Sequence, residues 1–190
     1  MNEELKQKIT INASNARLFS EDYDVLAKYA ALVEPPNWCI DIGTYMGASA
    51  ETMAVSSKPG VSIYSVDMRE LTSKELKEKY KGKIVFDLQD SAGAGDSWNS
   101  PIGLLFIDGD HAKMRRDFNA WYKNVIPGGY ILFHDFHPSI PWVIKDCMDV
   151  INQYPDHKIL HWPDTEAIWK DKLIGIDPRE TVIFQIQKPL

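Results

Sequence analysis

Five short apolar runs recur along the chain: WCIDIG (38–43), VSIYSVD (61–67), KIVFDL (83–88), IGLLFID (102–108) and GYILFHD (129–135); four end with an acid at or next to the terminus, and the third has Asp90 two residues on. Their length, their β-branched and aromatic content and the turn formers beside them mark them as buried strands. Between them lie stretches with helical spacing, at 47–57, 73–81 and 112–125, and a Gly-rich polar stretch at 90–100 with room for a short helix. Strands that alternate with helices specify a parallel sheet with helices on both faces, a doubly wound, Rossmann-like α/β fold.

The flanks complete the outline. Residues 20–34 read as a helix capped by Ser20 and stopped by Pro35-Pro36, and 139–153 as another helix. KILHW (158–162) and ETVIFQIQ (180–187) read as strands with no clear helix between them, which suits an antiparallel hairpin at the sheet edge; 163–179 receives no assignment. The 190 residues suit one domain, with 1–36 as an N-terminal helical cap, 37–137 as the core and 138–190 as a C-terminal helix with edge strands.

A net charge of −6 argues against nucleic-acid and anionic-membrane surfaces as partners. No run approaches the ~20 apolar residues a membrane span needs. The opening MNEELKQKIT is charged and carries no signal peptide. Cys39 and Cys147 have no zinc spacing and read as free thiols, which fits a cytoplasmic protein.

In such a sheet, ligands bind beyond the carboxyl ends of the strands. Asp41, Asp67, Asp90, Asp108 and the pair His134-Asp135 therefore meet in one cleft. The first strand runs into DIGTYMGAS, where Gly43 and Gly47 permit a tight turn and the following helix offers free amide groups. The spacing is G-x-x-x-G, without the third glycine of a dinucleotide fingerprint. An acid two residues before the first glycine would repel a pyrophosphate and attract a cationic ligand.

With DIGTYMGAS, SVDMRE and LQDS each following the appropriate strand, the chain resembles class I methyltransferases that use S-adenosyl-L-methionine (SAM). FIDGDH and GGYILFHDFH narrow the resemblance to metal-dependent small-molecule O-methyltransferases of the catechol, caffeoyl-CoA and macrocin types, over about residues 37–137. The resemblance implies a cofactor site of Asp41, Gly43, Tyr45, Gly47, Ser49, Asp67, Met68, Asp90, Ser91 and Asp108. Asp67 would bind the ribose hydroxyls, Met68 would pack on the adenine, and Asp90 and Ser91 would contact its edge.

The same resemblance implies a divalent metal held by Asp108, His134 and Asp135, with Asp110 and His137 in reserve. The family carries Asp-Asn or Glu-Asp where this chain has His-Asp. Mg²⁺ or Mn²⁺ is the family expectation, and the imidazole makes room for Fe²⁺ or Zn²⁺. His111, three residues past Asp108, stands where relatives place a catalytic base. The implied reaction is methyl transfer to a hydroxyl of a small molecule. A non-catalytic SAM-binding domain and an NAD-dependent oxidoreductase are the competing readings. The acceptor is not legible. Trp98, Trp142, Trp162 and Trp169 are candidates for an aromatic lid, for core packing or for a homodimer contact, with core packing the first expectation for each.

Overall fold

The computed structural model describes residues 7–9, 18, 20–163 and 183–190. In chain order the elements are α1 (Ser20–Ala30), β1 (Trp38–Ile42), α2 (Ala48–Ser56), β2 (Ser62–Asp67), α3 (Lys74–Lys79), β3 (Ile84–Leu88), α4 (Ser91–Ser97), β4 (Ile102–Ile107), a 3₁₀ turn (His111–Lys113), α5 (Met114–Tyr122), β5 (Val125–Phe133), α6 (Pro141–Gln153), β6 (Lys158–His161) and β7 (Phe184–Gln187).

The strands form one seven-stranded sheet in the order β3-β2-β1-β4-β5-β7-β6. The first five are parallel, and β7 runs antiparallel to both β5 and β6. This is the expected Rossmann-like sheet with an antiparallel C-terminal edge. The later strand, β7, inserts beside β5 and leaves β6 at the margin. Strand order reverses between β1 and β4, which opens the crevice where α/β sheets bind ligands.

Alternation along the strands divides the apolar residues between two faces. Ile40, Ile42, Leu105, Ile107, Ile131 and Phe133 pack with Met114, Phe118 and Trp121 of α5 and with Val143 and Cys147 of α6. Cys39, Ile63, Leu104, Phe106 and Leu132 pack instead with Tyr23, Leu26 and Tyr29 of α1 and Met53 of α2. Both faces are covered, so the strands read as continuous apolar runs. Phe118 and Trp121 are fully buried, and truncating either to alanine should cost about 3–5 kcal/mol.

Two boundaries differ from the sequence reading. The first helix ends at Ala30 rather than near 34, because Leu32 and Val33 donate to Tyr29 and Ala30 in tighter i→i+3 bonds before the prolines arrive. The fifth strand starts at Val125 rather than at 129, so Pro127-Gly128-Gly129 lies inside β5. Register shifts there, Val125 still pairs with Ile102, and Gly128 at φ 75° donates to the carbonyl of Lys188.

The tryptophans separate by role. Trp98 packs edge-on to Trp38 and against Tyr64 and Trp121, partly buried at the margin of the core. Trp162 meets Phe136 and Phe184, whereas Trp142 is half exposed. Trp169 and nearly all of 163–179 lie outside the described residues. No helix among the described residues is long and apolar enough to cross a membrane.

Candidate active site

Backbone bonds past the strand ends draw the candidate residues together. Gly43 donates to Val66, Asp108 to Ile42, Gln89 to Asp67 and His134 to Ile107. The result is a cleft of about 1170 Å³ over the carboxyl ends of the parallel strands. It is lined by Gly43, Tyr45, Ser49, Asp67, Met68, Asp90, Ser91, Asp108, His111, His134 and Asp135 among others.

One half of the cleft is built on the β1–α2 loop. Gly43 takes φ 98°, and a Cβ there would lie 2.1 Å from the carbonyl oxygen of Asp108, so glycine alone lets the loop cross the end of β4. Gly47, at φ 92°, would drive a Cβ to within 2.6 Å of Leu76. Tyr45 is also left-handed, at φ 45°, and its N–H donates to Asp67 Oδ2 at 2.8 Å. Arg69 N–H donates to Asp67 Oδ1 at 2.9 Å. These bonds fix the Asp67 carboxylate at the cleft wall and leave acceptor capacity on each oxygen. Met68 is 66% exposed at the rim of the cleft.

Asp41 and Asp90 sit differently from expectation. Asp41 is fully buried and is not among the residues lining the cleft. Ser65 Oγ donates to it at 2.5 Å, Ser49 also bonds it, and burial pushes its pKa up to about 7 despite both hydroxyls. It braces the loop from beneath. Asp90 caps α4 through the Gly93 N–H at 3.1 Å and takes both terminal nitrogens of Arg116 at 2.9 and 2.7 Å. Those partners hold its pKa below the usual range and leave it little spare acceptor capacity. Ser91 donates its hydroxyl to buried Asp117, so the α4 backbone is the more available contact there.

The other half gathers at the ends of β4 and β5. His111 Nε2 lies 2.6 Å from Asp135 Oδ2. His134 is 3% exposed; its Nε2 is 3.1 Å from Asp22 Oδ2, and its Nδ1 is 3.1 Å from Asp108 Oδ1 and 3.3 Å from Asp135 Oδ2. Burial disfavours the His134 imidazolium, but Asp108, Asp135 and Asp22 outweigh it and hold the pKa well above the ordinary value. Burial likewise works against ionised Asp135, yet His134 and His111 bring its pKa down to about 2. For Asp108 burial wins, and its pKa rises. Asp135 is left-handed at φ 55°, a local strain of the kind that clusters at functional sites.

Two triplets have metal-ligand character. Asp108, His111 and Asp135 offer ligand atoms within 4.8 Å of one another. In the second, of Asp108, His134 and Asp135, His134 Nδ1 lies 3.1 Å from Asp108 Oδ1 and 3.3 Å from Asp135 Oδ2, and it is buried without an aligned hydrogen bond to either carboxylate. Both separations are within ion-pair range, so Nδ1 faces two carboxylates at once. The reserve candidates fare worse. Asp110 caps the 3₁₀ turn and pairs with Lys113. His137 turns to Ser139 and is not among the lining residues.

Asp22, Leu18, Thr44, Gln89, Lys113 and Asp117 also belong to the site or its support, and the sequence reading did not single them out for it. Asp22 carries no distinguishing signal, since an acid in the first turn of a helix is ordinary dipole compensation.

Comparison with known proteins followed the same outline. A family model described as a methyltransferase domain matches residues 40–136, more than half of the chain. An uncharacterized protein of Acanthamoeba polyphaga mimivirus is 28% identical over 176 residues, covering 74% of this chain and 79% of the relative. The O-methyltransferase TomG of Streptomyces achromogenes, involved in tomaymycin synthesis and solved in complex with SAM, aligns with a TM-score of 0.69 at 12% identity, over 100% of this chain and 90% of that one. An O-methyltransferase from Bacillus cereus, solved in complex with SAH, aligns with a TM-score of 0.69 at 13% identity, over 98% and 90%.

Proposed function

The chain belongs to the methyltransferase-domain family, and we propose that it moves the methyl group of SAM onto a hydroxyl of a small molecule, with His111 as the base. The observation that carries this reading is the pairing of His111 with Asp135 across the cleft mouth, at 2.6 Å. The cofactor would lie over the β1–α2 loop, with its ribose hydroxyls on Asp67 and its adenine between Met68 and the Asp90-Ser91 turn. Tyr45 and Ser49 would flank its methionine portion. Two of the aligned O-methyltransferase structures were solved with SAM and SAH, which supports SAM as the cofactor.

Methyl transfer from a sulfonium is an in-line displacement, and a neutral hydroxyl is a poor nucleophile. With His111 Nε2–H donating to Asp135, Nδ1 is left as the acceptor for the hydroxyl proton. Asp135 stays ionised, orients the ring and stabilises the imidazolium that forms, as the acid of a catalytic triad does. The sulfonium leaves as a neutral thioether, so no charged leaving group needs stabilising. The protein's remaining work is alignment of oxygen, methyl carbon and sulfur.

Asp108, His134 through Nδ1, and Asp135 would hold a divalent ion. When bound, the ion supplies Lewis acidity that lowers the acceptor hydroxyl's pKa and fixes its oxygen. The fit rests on the orphaned Nδ1 and its spacing to two carboxylates. Without an ion, a proton on Nδ1 balances the same carboxylates. A second reading makes His111 a ligand in place of His134, supported by the convergence of Asp108, His111 and Asp135; the base would then lie elsewhere.

The test is transfer of labelled methyl from SAM to a panel of catechols, phenols and sugar diols, with and without Mg²⁺ or Mn²⁺. Labelled O-methyl product that depends on the ion is expected. Label on nitrogen or carbon, or no product with any hydroxyl, would contradict the reading.

A further inference from the structure

We infer that Asp22 is a positioning residue of the active site, fixing His134 so that Nδ1 is presented to Asp108 and Asp135. The inference rests on the proposed ligand role of His134. It concerns a side chain contributed by α1, outside the 40–136 segment that carries the family match.

Three observations support it. Asp22 is fully buried, and its Oδ2 lies 3.1 Å from His134 Nε2. A buried carboxylate is strongly unfavourable without a partner, and His134 sits 112 residues away in the chain. The other ring nitrogen is the one aimed at the carboxylate pair, at 3.1 and 3.3 Å. An imidazole has two nitrogens, and the bond made by one decides what the other can do. With Nε2–H donated to Asp22, Nδ1 is the free ligand atom. Phe106 meets the His134 ring edge-on with centroids 5.9 Å apart and restricts its tilt.

A carboxylate in the position of His134 would offer two equivalent oxygens and no tautomers. An imidazole there must be held in one orientation and one tautomer. Ligating histidines ordinarily donate their second N–H to a carboxylate or carbonyl, and loss of that partner typically costs about 10–100-fold in metal affinity or activity. The line Asp22–His134–Asp135–His111 thus couples helix α1 to the base. The same helix packs against α2, which follows the cofactor loop.

The test compares Asp22→Leu, which removes the acceptor at similar size, with Asp22→Asn, which keeps one. Mn²⁺ binding is read by calorimetry and electron paramagnetic resonance, and SAM binding without metal reports the fold. Asp22→Leu should weaken Mn²⁺ binding about 10–100-fold, Asp22→Asn should lose less, and SAM affinity should stay within about twofold in both. In a His134→Ala background, Asp22→Leu should have no further effect on Mn²⁺. Wild-type Mn²⁺ affinity in folded Asp22→Leu, or a full additional loss beside His134→Ala, would overturn the inference. If Asp22→Leu does not bind SAM, Asp22→Asn decides: a measurable loss of Mn²⁺ affinity supports the inference and none overturns it.

Histidine-selective ¹⁵N spectra of the metal-free protein give a readout that needs neither acceptor nor ion. His134 Nε2 should carry its proton in the wild type, and its ring signals and those of His111 should move in the Asp22 variants while His157 and His161 stay in place. A wild type that binds no Mn²⁺ would refute the metal reading alone. An Nε2 without a proton, or His134 and His111 signals indifferent to Asp22, would overturn this inference.

Discussion

The two halves of the cleft are built by different means. The half over β1 and β2 is made of backbone: left-handed Gly43, Tyr45 and Gly47, with two main-chain N–H groups pinning Asp67. The half over β4 and β5 is made of charge: two histidines and three carboxylates joined through side chains, with pKa values displaced in both directions. A backbone-built site holds its shape when one side chain is changed and loses mainly that side chain's contacts. A charge-built site is cooperative, because each group's protonation depends on its neighbours. The first arrangement suits recognition of a constant cofactor, the second a proton transfer.

Substitutions can break this contrast, and the largest effect belongs in the charge-built half. His111→Gln should lower turnover by roughly 10²–10⁴-fold with SAM affinity nearly unchanged, as steady-state kinetics and calorimetry will show. The acidic limb of the rate–pH profile should flatten as well, since that limb reports deprotonation of the base. A loss below about threefold with that limb intact would move the base elsewhere.

Chelation comes next. Excess EDTA should reduce methyl transfer by at least about 100-fold while SAM affinity stays within about threefold, because the proposed metal and ribose groups are separate. Full turnover in chelator would leave the proton on His134 Nδ1 as the standing counter-charge of Asp108 and Asp135.

The backbone-built half is probed by Asp67→Ala. It would remove the two proposed charge-assisted hydrogen bonds to ribose, each worth about 1.5–3 kcal/mol, so SAM affinity should fall at least about tenfold by calorimetry. Turnover at saturating SAM should fall much less. Equal losses in affinity and turnover would erase the distinction between the halves.

The last effect concerns stability rather than binding or turnover. The folded pKa of Asp41 is about 7 against an ordinary 3.8, so the folded state holds this proton more tightly than the unfolded chain. The stability this contributes is complete below the unfolded value and is lost as pH rises through the folded one. Asp41→Asn keeps an acceptor for Ser65 and removes the buried charge. Its stability relative to wild type should rise by a few kcal/mol, roughly, between pH 4 and 8, measured by thermal melts at each pH. A difference independent of pH would contradict the burial argument.

The contrast also governs what the sequence discloses. Gly43, Gly47 and Asp67 were legible because backbone sites depend on local order: a strand, a turn and an acid at a fixed remove. The sheet was legible for the same reason, since each strand and helix carries its own periodicity. His134 could be placed at the end of β5, but its surroundings could not, because its partner Asp22 is 112 residues away and looks like a routine helix-start acid. The support role of Asp41 and the engagement of Asp90 with Arg116 were hidden likewise, since they depend on which side of a strand end faces the cleft. The early start of β5 at Val125 was not legible, because pairing with β4 and with the C-terminal segment draws Pro127-Gly128-Gly129 into the strand against its turn chemistry.

Direct calorimetric titration of the wild-type protein with SAM tests whether this cleft is a SAM site. One molecule should bind per chain, displaced by S-adenosylhomocysteine and indifferent to NADH. No heat with SAM, or saturable binding of NADH in its place, would contradict that assignment.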